Sequence, residues 1–308
     1  MAEFQLIERY FSGLSGARQD VALGVGDDCA LLQPPSGMQL AMTMDTLIAG
    51  RHFLPDTNPR RLGHKVLAVN LSDLAAMGAR PAWALLSISL PEIDHAWLAE
   101  FSAGFAALAA RHDLALVGGD TCQGEMSFSL QLTGFVEAGK ELRRDGARPG
   151  DRIWVTGFLG DAALALKRLQ AAEEPGALSG RLEQPRPRIA EGLALSGAGA
   201  TSCIDISDGL ASDLGHVCRQ SGCAARVHLD RLPLSPAMAR HVAKTGDYSL
   251  ALAGGDDYEL CFTLPADSTP PAGVDATCIG EMFPGEGVKL VDAGGREVPP
   301  PRGWEHFA

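Results

Sequence analysis

Aspartates at the ends of apolar runs, most of them beside glycine, are the residues of this sequence best suited to chemistry. They occur in these clusters: Gly26-Asp27-Asp28, Thr43-Met44-Asp45, Asn70-Leu71-Ser72-Asp73, Gly118-Gly119-Asp120, Asp205-Ile206-Ser207-Asp208-Gly209 and Gly254-Gly255-Asp256-Asp257-Tyr258-Glu259. The short Asp side chain places a carboxylate oxygen with few rotamers to fix. Several such oxygens together suit a hard cation, and Mg²⁺ is favoured over Zn²⁺ because the clusters lack His and Cys.

Each cluster also has an ordinary structural explanation. An Asp beside a Gly is common in turns. Asp205 and Asp208 could belong to a helix cap, since Ser207 is a good N-cap residue before a helix predicted from Leu210. Asp73 is harder to explain in this way, because a lone carboxylate within an apolar helical pattern is costly unless it is paired or bound to a metal. The clusters together favour a Mg²⁺ site, while turn and cap roles stay open for each one.

Phosphate-binding motifs of the familiar kinds are missing from the sequence. It contains neither a G-x-x-x-x-G-K-[ST] loop nor the H-R-D set of protein kinases. Gly118 and Gly119 follow an apolar run and could present backbone N–H groups to a phosphate, although a tight turn explains them equally well. Because no Lys lies in the clusters, metal ions would have to supply most of the positive charge for a polyphosphate ligand.

Length and composition set the class of protein. A chain of 308 residues exceeds the usual size of one core, so two domains are expected. The 38 acidic and 26 basic side chains give a formal charge of −12, which argues against nucleic-acid binding. The 7 cysteines include no C-x-x-C pair, and reduced thiols of a cytoplasmic protein are the simplest interpretation. No apolar run reaches the ~18 residues of a membrane span, and Glu3 and Glu8 do not fit a signal peptide.

Hydrophobic periodicity alternates between strand and helix along the chain. It predicts strands over residues 39–44, 82–90, 114–117, 127–136, 153–155, 202–206, 260–264, 277–279 and 288–291. It predicts helices over residues 59–77, 97–108, 161–169, 189–195 and 210–219, with a loop over 173–180. Residues 138–150 are rich in Gly, Pro and basic side chains and form the best candidate linker. We therefore expect two α/β (more strictly α+β) domains, residues 1–145 and 146–308.

Longer motifs carry a resemblance to a known family. They are GVGDDCALL, TMDTLIAGRHF, AVNLSDLAAMGARPAW, LVGGDT, GARPGDRIWVTG, DISDGLASDLGH and GGDDYELCFT. In their order and spacing the chain resembles the bacterial thiamine-monophosphate kinases over nearly its whole length. Aminoimidazole ribonucleotide synthetase and selenophosphate synthetase, from the wider superfamily, share only the GDD and GGD themes. The resemblance implies that ATP and thiamine monophosphate give ADP and thiamine diphosphate, the last step of thiamine diphosphate biosynthesis.

The resemblance also implies a fold and a set of site residues. The fold is the two-domain aminoimidazole ribonucleotide synthetase-like one: the N-terminal domain binds ATP and Mg²⁺ and forms a homodimer, and the C-terminal domain closes the cleft. The implied ligands of several Mg²⁺ ions are Asp28, Thr43, the Met44 carbonyl, Asp45, Asp73, Asp120, Asp205 and Asp208. The implied nucleotide contacts are Gly119, Asp120, Arg144 and Ser207, and the implied substrate contacts are His52, Glu259 and Trp304. Ala103 stands where some relatives place a Tyr that contacts the nucleotide. No nucleophile or base is assigned, because the attacking phosphate oxygen is already ionised at pH 7.

Two other functions stay open. Another ATP-dependent member of the superfamily is one, but a selenophosphate synthetase usually carries a reactive Cys or selenocysteine near its N-terminus. Here the first cysteine is Cys29, directly after the GDD motif. The other is a regulator that binds nucleotide and metal without catalysis, against which the intact set from Asp28 to Asp208 speaks.

Overall fold

The computed structural model of the protein describes residues 3–15 and 18–301. Its contacts separate two compact units. The N-terminal unit consists of the described residues up to Leu74 together with Ala79–Gly139, and the C-terminal unit consists of Ala75–Gly78 and the described residues from Lys140 onward. The division after Gly139 falls within the linker predicted over residues 138–150. In the described part of the chain no helix is both long and apolar enough to cross a membrane.

A four-stranded sheet with two long helices forms most of the N-terminal unit. Its elements are α1 (Glu3–Tyr10), β1 (Val21–Leu23), β2 (Leu31–Leu32), β3 (Met38–Ile48), α2 (Pro59–Ala76), β4 (Arg80–Leu90), α3 (His95–Arg111), β5 (Ala115–Gln123) and β6 (Ser127–Glu137). The strand order is β3-β6-β4-β5. The pair β4–β5 is parallel and the other pairs are antiparallel.

One face of this sheet is buried beneath helices, and we call it the helix face. Phe128 of β6 stacks on Trp97 and Phe101 of α3, with ring centroids 6.0 and 4.7 Å apart. Helices α2 and α3 meet backbone to backbone, because a Cβ on Gly63 would lie 2.1 Å from the Phe101 carbonyl oxygen. A Cβ on Gly104 would in turn lie 1.8 Å from the carbonyl oxygen of Arg60. This close approach fixes α2, the helix that carries Asp73.

The opposite face of the sheet is only partly covered, and we call it the open face. At one end Trp83 and Phe135 pack against Val21 and Leu32 of the β1–β2 ribbon. Further along, large apolar side chains remain exposed, with Met42 at 66% and Met44 at 62%. The exposed apolar side chains of the open face are Leu40, Met42, Met44, Ile48 and Leu85.

The C-terminal unit is built on a seven-stranded mixed sheet of order β13-β12-β9-β11-β7-β10-β8. Its elements are β7 (Arg152–Thr156), α4 (Asp161–Gln170), α5 (Ser179–Glu183), α6 (Ile189–Ala198), β8 (Ser202–Asp205), α7 (Leu210–Ser221), β9 (Ala224–His228), α8 (Pro236–Thr245), α9 (Ser249–Ala253), β10 (Leu260–Leu264), β11 (Ala276–Phe283), β12 (Val288–Val291) and β13 (Glu297–Val298). Ile153, Val155, Leu214 and Val217 lie in its buried core.

The structure confirms the two-domain α/β fold and corrects some of its elements. The strand predicted over 114–117 continues through Gly118 and Gly119, because β5 keeps its pairing with β4 as far as Gln123. Part of the loop predicted over 173–180 is helical, since α5 begins at Ser179. The cap role that stayed open for the cluster around Ser207 does not apply, because Gly209 is the N-cap residue of α7 and makes no side-chain cap bond.

Candidate active site

Two side chains of α2 connect this helix to β3 on the helix face. Thr43 Oγ1 donates to Asp73 Oδ2 at 2.5 Å, and the backbone N–H of Asp45 donates to Asn70 Oδ1 at 3.1 Å. The Asp73 carboxylate in the apolar helix therefore has a hydroxyl partner. Three of the predicted metal ligands, Thr43, Asp45 and Asp73, therefore lie where β3 meets α2, and the buried Asn70 fixes the backbone of Asp45. Sequence reasoning gave Asn70 no role, although its place three residues before Asp73 puts both on one side of a helix.

One hydrogen bond orients the His52 ring, and a second holds its backbone. The backbone N–H of Ile48 donates to its Nδ1 at 3.0 Å, and Lys65 Nζ donates to its carbonyl oxygen at 3.2 Å. Because Nδ1 accepts, the proton of the neutral ring lies on Nε2. An Nε2–H group suits a phosphate oxygen, as the predicted substrate contact requires. Lys65, which is only 3% exposed, was not predicted to take part.

The remaining predicted ligands of the N-terminal unit have different surroundings, and Asp120 lies away from Asp73. Asp120 is in register with Ser87 and Ser129 on the side of the open face, whereas Asp45 belongs to the helix face. Their strands, β3 and β5, are opposite edges of the sheet. The Met44 side chain lies on the open face, and its backbone carbonyl, the predicted ligand, lies between Thr43 and Asp45 in β3. Asp28 is exposed, and its N–H donates to Asp27 Oδ1 at 2.8 Å. Among the residues described, no group of three or more His, Cys, Asp and Glu is placed to hold a metal ion.

Gly119, a predicted nucleotide contact, has a packing role of its own. A Cβ at this position would lie 1.9 Å from the carbonyl oxygen of Leu86 in β4. No side chain fits between the two strands at this point. The residue type at position 119 is therefore explained by strand packing, independently of any nucleotide.

In the C-terminal unit, the loop over residues 205–208 lies against the segment 256–259. The N–H of Asp256 donates to the Ser207 carbonyl at 2.9 Å, and the N–H of Tyr258 donates to the Ile206 carbonyl at 2.8 Å. Asp256 and Tyr258 have φ angles of +59° and +50°, which are unfavourable for residues with a Cβ. Strain of this kind persists where the surroundings fix the backbone and often marks functional sites. Asp205, Ser207 and Asp208 thus occupy one fixed loop.

Asp213 and Arg144 lie beside this 205–208 loop. Asp213 Oδ2 accepts hydrogen bonds of 3.1 Å from the N–H groups of both Ser207 and Asp208. Burial raises the pKa of Asp213 to about 7, and the charge of Asp208 adds to the rise. The positive charge of Arg144 acts on Asp213 and on His216, where it lowers the pKa of the imidazole after the larger effect of burial. The Arg144 charge therefore acts on Asp213, the residue that accepts from the Ser207 amide.

Glu259 is buried and bonded to other protein groups. It is 1% exposed. Arg188 Nε and Nη2 donate to Oε2 and Oε1 at 2.6 Å, Thr156 Oγ1 donates to Oε2 at 2.6 Å, and Arg181 Nη1 lies 3.4 Å from Oε1. Burial raises the pKa of Glu259, and the hydrogen bonds from Arg188 oppose the rise. Its contact with substrate stays a prediction, as does that of Trp304, which lies outside the described residues.

Asp257 is a further buried carboxyl group in this segment. Its Oδ1 accepts from the N–H of Gly160 at 2.8 Å, while its Oδ2 is buried and has no hydrogen-bond partner among the described residues. Burial raises the pKa of Asp257 well above its ordinary value, and the charges of Glu259 and Asp161 add to the rise. The sequence places Asp257 within the GGDDYE motif, but it does not show that this side chain is buried.

Comparisons with known proteins agree along the whole chain. The family model for the AIR synthase related protein, N-terminal domain, matches residues 26–136, and that for the C-terminal domain matches residues 148–292. A thiamine-monophosphate kinase of Salmonella typhimurium is 49% identical over 99% of this chain and 98% of its own. The crystal structure of thiamine-monophosphate kinase from Stenotrophomonas maltophilia K279a is 45% identical with a TM-score of 0.88, covering 97% of this chain and 98% of that one.

A third similar protein, described as AaThiL complexed with AMPPCP and TMP, is 34% identical with a TM-score of 0.81. The match covers 99% of this chain and 97% of that one. The resemblance seen in the motifs is thereby confirmed in both sequence and structure. Because these relatives match both domains at nearly full length, this chain belongs to the thiamine-monophosphate kinase family.

Proposed function

We propose that this protein transfers the γ-phosphoryl group of ATP to thiamine monophosphate, giving thiamine diphosphate and ADP. The observation that carries the proposal is the full-length similarity to thiamine-monophosphate kinases, one of which was solved with AMPPCP, an analogue of ATP, and TMP. The models for the N-terminal and C-terminal domains of the AIR synthase related proteins both match this chain.

The side chains described above suit direct transfer between two phosphates. An ionised phosphate oxygen needs no general base, so the protein has to bind and orient the two reactants. The Nε2–H of His52 is a donor for the acceptor phosphate. The Arg144 guanidinium can bind a phosphate through two N–H groups, and the Ser207 hydroxyl offers a further donor on the neighbouring loop.

Mg²⁺ is implied by the family, and the donor set fits it. Thr43, Asp45 and Asp73 offer oxygen atoms on the helix face, and Asp205 and Asp208 offer carboxylates on the 205–208 loop. Oxygen donors without His or Cys are the preferred ligands of Mg²⁺. When bound, Mg²⁺ would neutralise phosphate charge and favour in-line attack. Asp28, Asp120 and the Met44 carbonyl belong to the proposed set on the motif match alone.

We further propose that the protein is a cytoplasmic homodimer paired through the N-terminal domain. Contiguous exposed apolar surface is typical of an interaction site, and the open face of the sheet is such a surface. A second copy could cover it with the same residues, as twofold symmetry requires. The described cysteines are all free thiols, as expected of a reducing compartment. We also propose that residues 1–145 bind ATP and Mg²⁺ and form the dimer, and that residues 146–308 close the active-site cleft.

Sedimentation of a charged variant tests the dimer. Met42→Glu, in the middle of the open face, should shift the protein from dimer to monomer. Ile93→Glu is the matched control, because Ile93 is also exposed (47%) but lies in the connection between β4 and α3. A monomeric wild type, or a Met42→Glu variant that remains dimeric, would contradict the interface.

A coupled assay with ATP, Mg²⁺ and thiamine monophosphate tests the activity. ADP should form only when thiamine monophosphate is present, and the product should have the mass of thiamine diphosphate. Thiamine without its phosphate is the control acceptor and should give no ADP above background. An ADP yield that is independent of thiamine monophosphate would overturn the proposed function.

A further inference from the structure

Asp213 lies in the first turn of α7, shortly after the 205–208 loop that carries three predicted ligands. Its side chain is 3% exposed. A single carboxylate oxygen, Oδ2, accepts from two consecutive backbone amides, those of Ser207 and Asp208, each at 3.1 Å. A buried carboxylate is costly unless hydrogen bonds satisfy it. The N–H groups of Ser207 and Asp208 supply hydrogen bonds to the buried Asp213 carboxylate, and the same bonds hold these two N–H groups in place.

The carbonyl groups of the same loop are held from the other side. The Ser207 carbonyl accepts from the N–H of Asp256, and the Ile206 carbonyl accepts from the N–H of Tyr258. Both backbone groups of Ser207 are therefore bonded. Gly209, the N-cap residue, has no side chain with which to hold the preceding amides. Asp213 does so from within the helix, which leaves the side chains of Ser207 and Asp208 half-exposed.

We propose that Asp213 is a positioning residue for phosphoryl transfer. It fixes the backbone of Ser207 and Asp208, so that the hydroxyl and the carboxylate of that loop are oriented before nucleotide and metal bind. The inference rests on the proposed function. A loop that is ordered beforehand loses less conformational entropy on binding. Partners that orient ligand residues typically change metal affinity or activity by about 10- to 100-fold when they are removed.

Substitutions at Asp213 can separate hydrogen bonding from charge. Asp213→Ala removes the acceptor. Asp213→Asn keeps a carbonyl oxygen that can accept both amides but removes the charge. Asp151→Ala is the matched control: Asp151 is also buried (5% exposed) and accepts from a backbone amide, that of Arg148, and from the Thr201 hydroxyl.

Steady-state kinetics and amide hydrogen exchange provide independent measurements. We expect Asp213→Ala to lower kcat/KM for ATP by about 10- to 100-fold and to change KM for thiamine monophosphate by less than about threefold. Asp213→Asn should lose less than about fivefold, because the hydrogen bonds persist. Without ligands, the Ser207 and Asp208 amides should exchange faster in Asp213→Ala than in the wild type, the Asn variant or Asp151→Ala.

Several results would overturn the proposal. If Asp213→Asn is as impaired as Asp213→Ala, the residue acts through its charge, as a metal ligand would. If Asp213→Ala matches Asp151→Ala in kinetics and exchange, it has no positioning role. Should the Ala variant fail to fold, Asp213→Leu fills the space without an acceptor and takes its place. A wild type without thiamine-monophosphate-dependent activity would refute the proposed function, whereas the exchange experiment would still test the anchoring of the loop.

Discussion

Arg188 donates to both carboxylate oxygens of Glu259 at 2.6 Å, with side-chain exposures of only 9% and 1%. This pair joins the N-cap position of α6 to the residue before β10. Arg188 also donates to Glu191 Oε1 at 3.2 Å. The negative charge of Glu259 is thus balanced within the protein. If it contacts thiamine monophosphate, it does so as an oriented hydrogen-bond acceptor rather than as an unpaired charge.

Removing one partner of this pair should be strongly destabilising. Arg188→Met leaves the buried Glu259 carboxylate with only the Thr156 hydroxyl and the 3.4 Å contact to Arg181. Losing the main partner of a buried ion pair typically costs about 3–5 kcal/mol. The double variant Arg188→Met, Glu259→Met should recover part of that loss, since the Glu259 charge is then removed, while the buried Glu191 keeps its contact with Arg186 at 3.2 Å. The control is Arg152→Met, from a pair with Glu281 in which Arg152 is 41% exposed; it should cost less than about 1 kcal/mol. The measurement is urea unfolding, and equal losses for Arg188→Met and Arg152→Met would contradict this account.

Gly157 lies directly against the same ion pair. Its φ is +57°, and a Cβ there would lie 2.1 Å from Glu259 Oε1 and 2.5 Å from Arg188 Nη2. Gly176 has a nearly equal φ of +61° but open space around it, so it isolates the backbone effect. We expect Gly176→Ala to cost about 1–2 kcal/mol and Gly157→Ala about 2 kcal/mol more, because the ion pair must move. If thermal unfolding shows equal costs, the packing described here is wrong.

Whether a contact could be predicted from the sequence depended on how far apart in the chain its two hydrogen-bond partners lie. Asp73 was recognised as unusual from its own helix, because a carboxylate in an apolar pattern is a local contradiction. Its partner Thr43 lies 30 residues away, so only the folded structure shows the bond. Asp213 lies within six residues of both amides that it accepts and could have been noticed as an acid in the first turn of a helix.

Burial was the property least visible in the sequence. Glu259 follows a Gly-rich turn, so its sequence context is that of a surface residue. In the structure it is buried, and its main partner, Arg188, is 71 residues away in the sequence. Periodicity predicted the long elements well, since α2 and β6 each repeat one pattern over several turns or alternations. It missed β9 and α8, which are short and follow one another with little contrast in composition. A resemblance supplied the ligand set, because ligands that lie far apart in sequence share no local pattern.

Asp20 gives the N-terminal unit an acid-sensitive contact. Hydrogen bonds from Arg18, of 2.9 and 2.6 Å, lower the pKa of Asp20 below its ordinary value of 3.8, and the Trp83 indole N–H adds a bond of 3.2 Å. The stabilisation is therefore complete above pH 3.8 and is lost as the pH falls through the lower folded pKa. Asp20→Asn should be less stable than the wild type by a constant amount from pH 8 to about pH 5. This difference in the free energy of unfolding should shrink below about pH 4. The measurement is unfolding monitored by fluorescence. A difference that grows below about pH 4 would show that Asp20 is not the acid-sensitive group.

Asp73→Asn tests the proposed metal site. The Asn oxygen can still accept from the Thr43 hydroxyl, so the fold should be retained, but a neutral amide cannot balance bound cations. We expect turnover to fall by at least about a hundredfold and the Mg²⁺ concentration needed for half-maximal activity to rise. Asp94→Asn is the control, since Asp94 caps α3 and is not among the predicted ligands. Near wild-type turnover in Asp73→Asn, with unchanged circular dichroism, would exclude Asp73 as a ligand.

Transfer should be direct, without a phosphorylated enzyme. A nucleophilic histidine needs an unprotonated nitrogen facing the γ-phosphate while the other nitrogen donates to an orienting group. In His52 the arrangement is the reverse, because Nδ1 accepts from the N–H of Ile48 and the proton lies on Nε2. ATP labelled in the γ-phosphate should therefore leave no stable label on the protein in the absence of acceptor. A γ-phosphate made chiral with sulfur and oxygen isotopes should be transferred with inversion, as one in-line displacement requires. Retention of configuration, or a labelled residue that passes its phosphate to thiamine monophosphate, would show a covalent intermediate instead.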